Sequence, residues 1–199
     1  MSPIGTAGRF RIEPFDPDRH DRTGFSCGIE QVDNYFRKTA NKLAKAGNIR
    51  LYVMTASDGT VIGFYAINAH AVHYADLPKS YARTRPGHGQ IPAAYISMIG
   101  RDKRYRGAGH GAHLLVDALK RIAMAADALG LAIVMLDVLD CGNPEKVAMR
   151  KRMYMGFGFT ALASDPLRLF LPIATIRTLL EEQEREPDTE RTETRPTPL

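Results

Sequence analysis

From His110 to Leu129 the apolar residues Leu115, Ala118, Leu119, Ile122, Ala126 and Leu129 recur at spacings of three and four. That period lays one apolar stripe along a helix, and Gly130 is placed to end it. The run Leu131–Leu139 (LAIVMLDVL) that follows is nearly all apolar, the mark of a strand buried on both faces. Upstream, Arg50–Ser57 and Thr60–His73 are rich in β-formers and are parted by Asp58-Gly59, a hairpin signal. Arg9–Pro14 reads as a short first strand and Ala93–Gly100 as another. Ser26-Cys-Gly-Ile-Glu30 predicts a helix start with Ser26 as N-cap, running to about Ala46 and stopping at Gly47. Its polar face carries Arg37, Lys38, Lys42 and Lys45. Pro144–Met155 predicts a helix, Phe157–Leu162 and Arg168–Pro172 short strands, and Ile173–Glu184 a closing helix. The order gives a mixed α/β sheet of six to seven strands flanked by helices.

Between the strand at 93–100 and the long helix lies Arg104-Tyr-Arg-Gly-Ala-Gly-His-Gly111. Glycine costs roughly 1 kcal/mol against alanine inside a helix, so three glycines here call for a reason. One is a strand-to-helix turn needing positive φ; the other is a cradle of bare N–H groups for a phosphate at the helix N-terminus. No Gly-Lys-Ser/Thr follows, which excludes Walker A. Gly107-x-Gly109-x-x-Ala112 fits the dinucleotide fingerprint, but Asp137 and Asp140 lie 28 and 31 residues beyond Gly109 rather than the expected ~20. The hairpin pattern of the N-terminal half also disfavours a Rossmann site. Arg106, Gly109 and Gly111 instead satisfy Arg/Gln-x-x-Gly-x-Gly/Ala, a loop for a pyrophosphate.

Composition bounds the setting. The chain has 199 residues, 44% hydrophobic and 25% charged, which suits one globular domain over residues 1–184. The Pro-, Thr- and Glu-rich stretch 185–199 is expected to be a disordered acidic tail. With no run of ~18 apolar residues and no apolar leader, no membrane span is expected. Cys27 and Cys141 alone make no disulfide framework and fit a reducing cytoplasm. The net charge of +5 conceals a tail with seven acidic and three basic residues over 181–199, leaving +9 on residues 1–180. So basic a body suits a polyanionic ligand.

The glycine loop with its flanking strand and helix, together with Met153-Tyr-Met-Gly-Phe-Gly-Phe159, resembles the GNAT acetyltransferases. Phe25-Ser-Cys-Gly-Ile-Glu30 before a basic helix, Arg50-Leu-Tyr-Val53 and Ile62-Gly-Phe-Tyr65 extend the likeness over about residues 9–180. They are similar to the branch formed by toxins of type II toxin–antitoxin systems. The resemblance implies a mostly antiparallel sheet, acetyl-CoA as co-substrate, aminoacyl-tRNA as acceptor and a ribbon-helix-helix antitoxin as partner. A homodimer is left open. Two positions depart from the pattern: Met98 stands where the branch often has arginine, and Val147 falls where the Asn of Asn-x-x-Ala-x-x-x-Tyr belongs.

Acetyl transfer to an amine needs a neutral nucleophile, a polarised thioester carbonyl and a proton for the departing thiolate. Backbone N–H groups of Ile99, Gly100 and Arg101 are candidates for the oxyanion and for pairing with pantetheine amides. Arg106, Gly107, Ala108, Gly109, His110 and Gly111 are the candidate pyrophosphate loop. Tyr154 is the candidate acid, its phenol protonated at neutral pH with an ordinary pKa of ~10. The competing reading makes it a tyrosine that packs its helix on the sheet. Arg83, Arg85, Lys146 and Arg150 are candidate contacts for substrate phosphates, within a patch that includes Lys151 and Arg152. His70 and His73 lack the companions of a zinc site, Cys27 lacks a paired histidine, and no metal is expected. Asp137 and Asp140 read as caps or ion-pair partners near the sheet edge. A small amine or a protein lysine stays open as acceptor, and a non-catalytic basic module that binds nucleic acid is the rival class.

Overall fold

The structure, a computed structural model, describes residues 10–84 and 86–185. One seven-stranded sheet, ordered β1-β2-β3-β4-β5-β7-β6, runs through the domain. Its strands are β1 (Arg11–Pro14), β2 (Arg50–Thr55), β3 (Val61–His73), β4 (Gln90–Arg101), β5 (Ile133–Asp137), β6 (Thr160–Ala161) and β7 (Arg168–Pro172). Every pairing is antiparallel except β4 with β5. The Asp58-Gly59 turn forms as expected: Gly59 has φ +83° and the Thr60 amide donates to Asp58 Oδ1 at 2.9 Å.

Helix α3 (His110–Leu129) occupies its predicted span and closes on Gly130 at φ +65°. Its stripe of Leu115, Ala118, Leu119, Ile122 and Ala126 is buried against Ala94, Ile96, Val134 and Leu136 of the sheet. Helix α5 (Ile173–Arg185) covers the same face. On the opposite face Val32, Phe36 and Ala40 of the N-terminal helical run pack against Leu51, Val53, Phe64 and Ala66. The rings of Phe36 and Phe64 stack there at 4.1 Å between centroids.

That N-terminal run departs from its expected form. Helix begins at Glu30, not at Ser26, and consists of α1 (Glu30–Asn34), a π-helical turn (Tyr35–Thr39) and α2 (Ala40–Lys45). Ser26 is not its N-cap. Its hydroxyl instead donates to Asp33 Oδ2 at 2.9 Å, and its amide donates to Asp102 Oδ2 at 3.1 Å. These two buried aspartates outcompete a local cap, because each gathers several donors at once. Strand β4 starts three residues before the predicted Ala93 and ends one after Gly100. The expected 78–92 loop holds one short 3-10 turn (Lys79–Ala82), and another (Tyr74–Asp76) lies just before it. Arg9, Arg85 and the 186–199 segment lie outside the described residues, as does the expectation of a disordered tail.

One irregularity positions the site. Ile67 pairs with Ile96 but Ala66 pairs with Met98, so Ser97 is an extra residue bulging from β4. The parallel pairing of β4 with β5 covers only Ala93–Ile96 against Ile133–Leu136. Past the bulge β4 continues to Arg101, while β5 stops at Asp137 and turns toward α4 (Pro144–Gly156). The two strands therefore part, and Ser97–Arg101 have no strand partner on that side among the described residues.

Candidate active site

Helix α4 is set by local chemistry: Asn143 Oδ1 accepts from the Lys146 amide at 3.0 Å, and Pro144 fills the first helical position. This start rotates Lys146, Met149, Arg150, Met153 and Tyr154 toward the fork between β4 and β5. Two cavities meet there. The larger, about 400 Å³, lies among Cys27–Ile29, Ile99–Arg101, Arg106, Gly111 and the inner face of α4. The smaller, about 210 Å³, is bounded by Gln31, Tyr95, Ser97, Met98, Asp137 and Leu139. Tyr154, Arg150, Ile99, Ile29 and Val32 line both. Tyr154 is thus the hydroxyl-bearing side chain at the passage between them, and its residue is only 6% exposed.

Burial pushes the Tyr154 phenol up to about 12, with the Arg150 charge pulling weakly the other way. The group is therefore a neutral donor across the physiological range. Arg150 is itself anchored: its Nη1 donates to the Leu139 carbonyl at 3.0 Å and lies 3.4 Å from Cys141 Sγ.

The cationic lining of the larger cavity comes from three elements. Arg101 ends β4, Arg106 precedes α3, and Lys146 and Arg150 project from α4. Burial, followed by the neighbouring Arg106 charge, lowers the Arg101 pKa from its ordinary value, with the Asp102 charge opposing the shift. Gly109 is the N-terminal boundary residue of α3 at φ +71°, a conformation that glycine adopts freely. Gly111 is different. A Cβ at that position meets nothing within 4 Å, so packing of the chain does not demand glycine there. Open space, a helix N-terminus and four nearby cations suit a phosphorylated ligand.

The sequence-predicted residues distribute unevenly. Ile99, Gly100, Arg101, Arg106, Gly111, Lys146, Arg150 and Tyr154 come together around the larger cavity. Gly100 also has a packing duty, since a Cβ there falls 2.8 Å from Val32 Cγ1 and 2.9 Å from Phe64 Cε1. Gly107, Ala108 and Gly109 form the exposed approach to the helix. The His110 ring turns inward against Phe10 and Tyr105, leaving Nδ1 buried without a partner, and burial lowers its pKa. Arg83 is exposed on the 78–89 connection and lines neither cavity, and Arg85 is outside the described residues. Cys27 has its thiol pushed up to about 11, first by burial and then by Asp33, so it is a wall residue and no nucleophile. His70 lies against the Tyr95 ring and His73 accepts from the Ala75 amide.

Sequence reasoning missed the wall made by Cys27–Ile29 and the aspartates that hold it. Cys27 N donates to Asp33 Oδ1 at 2.7 Å, and the Lys103 amide donates to the Ser26 carbonyl at 2.8 Å. Asp102, 1% exposed, accepts from Ser26 N, Arg104 N, Arg104 Nε and Arg104 Nη2. Although burial opposes it, these bonds keep its carboxyl below the ordinary value. Ser26 and Asp102 are 76 residues apart, and no local pattern signals such a contact.

No protein-family profile matches the chain. Among proteins of assigned role, it is 64% identical over 181 residues to a probable toxin TacT of Sinorhizobium fredii (strain NBRC 101917 / NGR234), covering 90% of this chain and 99% of that one. It is 36% identical over 163 residues to a tRNA-acetylating toxin of Mycobacterium tuberculosis (strain ATCC 25618 / H37Rv), covering 82% and 92%. Among solved structures, AtaT complexed with acetyl-methionyl-tRNAfMet superposes with a TM-score of 0.76 at 22% identity, covering 86% of this chain and 99% of that one. A tyrosine-to-phenylalanine mutant of AtaT, bound to the C-terminus of the antitoxin AtaR and acetyl-CoA, gives 0.70 at 19%, covering 86% and 98%. The structural likenesses establish the fold, and the two sequence relatives, matched over nearly their full length, establish kinship. The chain belongs to the GNAT-fold family of tRNA-acetylating toxins.

Proposed function

We propose that this protein transfers the acetyl group of acetyl-CoA to the amino group of an aminoacyl-tRNA and thereby blocks translation as the toxin of a toxin–antitoxin pair. The observation that carries the reading is the position of Tyr154, a buried neutral phenol lining both cavities where β4 parts from β5. Relatives named as tRNA-acetylating and as a toxin support it, as do AtaT structures holding acetyl-CoA, a tRNA or an antitoxin segment.

The residues present fit acetyl-CoA. Arg101, Arg106, Lys146 and the α3 N-terminus at Gly111 suit its phosphates, and the unpaired edge of Ser97–Arg101 suits its amide-bearing arm. When bound, acetyl-CoA supplies an acyl thioester. Backbone N–H groups on that edge stabilise negative charge growing on the acyl oxygen. The Tyr154 hydroxyl delivers a proton to the sulfur side as the carbon–sulfur bond breaks. Its high pKa keeps that proton in place until charge develops. The smaller cavity receives the acceptor amine, and the basic exposed surfaces, Arg83 included, meet tRNA phosphates. We assign the antitoxin partner to the ribbon-helix-helix class and the site of action to the cytoplasm, following the sequence resemblance.

The test uses purified full-length protein, labelled acetyl-CoA and three acceptors: aminoacyl-tRNA, spermidine and a lysine peptide. Label should enter acid-precipitable aminoacyl-tRNA and be lost on deacylation. Tyr154→Phe keeps the ring and its packing, so unfolding and acetyl-CoA affinity should stay near wild type while kcat falls by roughly 10²–10⁴. Preferred acetylation of spermidine or peptide overturns the tRNA assignment. Near-wild-type turnover of Tyr154→Phe overturns the role of the phenol.

A further inference from the structure

The charged groups around the two cavities are unevenly distributed. Among the described residues the larger cavity is lined by Arg101, Arg106, Lys146 and Arg150 and by no carboxylate, whereas the smaller, which shares Arg150, has one carboxylate in its lining, Asp137. Asp137 is the last residue of β5, at the point where that strand leaves β4. Arg168 Nε donates to its Oδ1 and Arg168 Nη2 to its Oδ2, both at 2.8 Å. The Tyr95 hydroxyl donates to the same Oδ2, also at 2.8 Å. A carboxylate offers about four acceptor positions. Three are filled by these donors, so one remains on a side chain still 37% exposed. The clamp spans β4, β5 and β7 and fixes the carboxylate in one orientation.

The acceptor amine of an aminoacyl ester arrives largely as ammonium near neutral pH, since α-amino groups titrate around 7.7–8.0. The cations of the adjoining cavity and Arg150 between the two repel it, and the one carboxylate lining its own cavity, although paired with Arg168, keeps an acceptor position for it. We infer that Asp137 is the docking group for the acceptor's ammonium, held in place by Arg168 and Tyr95. This rests on the acceptor being an aminoacyl-tRNA. The charged or titratable groups facing Asp137 are Arg168, Tyr95 and, more distantly, His70, with Arg150 across the cavity. Arg168's hydrogen bonds, ahead of those from Tyr95, hold the carboxyl below the ordinary carboxylate value. It is therefore a charged anchor at working pH and a poor base. The proton that the amine sheds before attack leaves to water, and Asp137 acts by positioning.

Steady-state acetylation of aminoacyl-tRNA and competition by deacylated tRNA, which has the same phosphates but no amine, separate docking from a mere structural clamp. Asp137→Asn should raise KM for aminoacyl-tRNA by roughly tenfold or more, as expected for one charge-assisted hydrogen bond, and change kcat much less. The inhibition constant of deacylated tRNA should stay within about twofold of wild type, as one bond to an absent amine predicts. An unchanged KM, or equal weakening of charged and uncharged tRNA, overturns the inference. Should Asp137→Asn not fold, Asp137→Glu keeps the charge for Arg168 but displaces it. It should then raise KM for aminoacyl-tRNA alone, and equal effects on both tRNAs overturn the inference in that variant too. If the wild type acetylates no aminoacyl-tRNA, it is the acceptor assignment that fails, which is a separate outcome from these.

Discussion

Replacement of Gly111 separates stability from ligand binding by sign. Gly111 occupies the first turn of α3, and a Cβ built there has no neighbour within 4 Å. Gly111→Ala therefore adds no clash and removes backbone freedom from the unfolded chain. The gain for a compatible site is ~0.4–1 kcal/mol. Near a helix end the lower half of that range applies, and in a domain of this size it raises Tm by roughly 1–3 °C. Valine gains less because its branched side chain loses rotamers in a helix, but it too should fold. The same open space borders the cavity lined by Arg101, Arg106 and Lys146. A side chain placed there stands where a phosphate approaches the helix N–H groups, so Gly111→Val should weaken acetyl-CoA binding at least ~10-fold, about 1.4 kcal/mol. Differential scanning fluorimetry and isothermal titration calorimetry read the two effects on one preparation. Gly109→Ala is the informative contrast: at φ +71° it should lower both stability and affinity. Unchanged acetyl-CoA affinity in folded Gly111→Val refutes the placement of the phosphates at this helix.

Two other predictions concern the wall of the site. Asp102→Asn leaves Ser26 N and the Arg104 guanidinium without their anion and should cost about 2–4 kcal/mol. Because the folded carboxyl sits below its ordinary 3.8, that contribution is present above this value and disappears as pH falls below it. Urea unfolding should show wild type and variant converging under acid, and a constant gap across pH 3–7 would contradict the charge argument. For the cysteines, the Cys27 thiol is pushed up to about 11, while hydrogen bonding from Arg150 lowers Cys141 from its ordinary 9.0. Iodoacetamide at pH 8 should modify Cys141 faster by roughly two orders of magnitude. Peptide mass mapping checks it, and comparable rates at both sites would refute the burial of Cys27.

How far the sequence could be read depended on the range of the interactions. Helix α3 was legible because its 3.6-residue apolar stripe and Gly130 are local signals. The β2–β3 hairpin was legible from Asp58-Gly59 for the same reason. Arg106, Gly111 and Tyr154 were legible through motif spacing, and they do face one cavity. The start of the N-terminal helix was misjudged because Ser26 satisfies local capping rules yet bonds to Asp33 and to the distant Asp102. The fork was invisible because the Ser97 bulge depends on registers with β3 and β5, which no single-strand pattern encodes. Asp137 was read as an ion-pair partner, and it is one, with Arg168; its place at the cavity follows from where β5 stops.

The bulge also bears on which genetic lesions this protein can survive. Because Ser97 is the supernumerary residue between Ile96 and Met98, it reverses the alternation of β4 partway along the strand. Ile96 packs with the α3 layer, Met98 with the opposite layer, and Ile99 with the α3 layer again. An amino-acid exchange at position 97 leaves that phase untouched, and loss of the single codon joins Ile96 directly to Met98, which gives regular alternation and keeps Met98–Arg101 on their present faces. Such a deletion leaves Ile99 and Arg101 on their side of the sheet but removes the irregularity at which β4 departs from β5. In a mutational scan, codon loss at this one position should spare folding yet impair acetylation more than the point substitutions there, because what it removes is the parting of two strands and not a packed side chain.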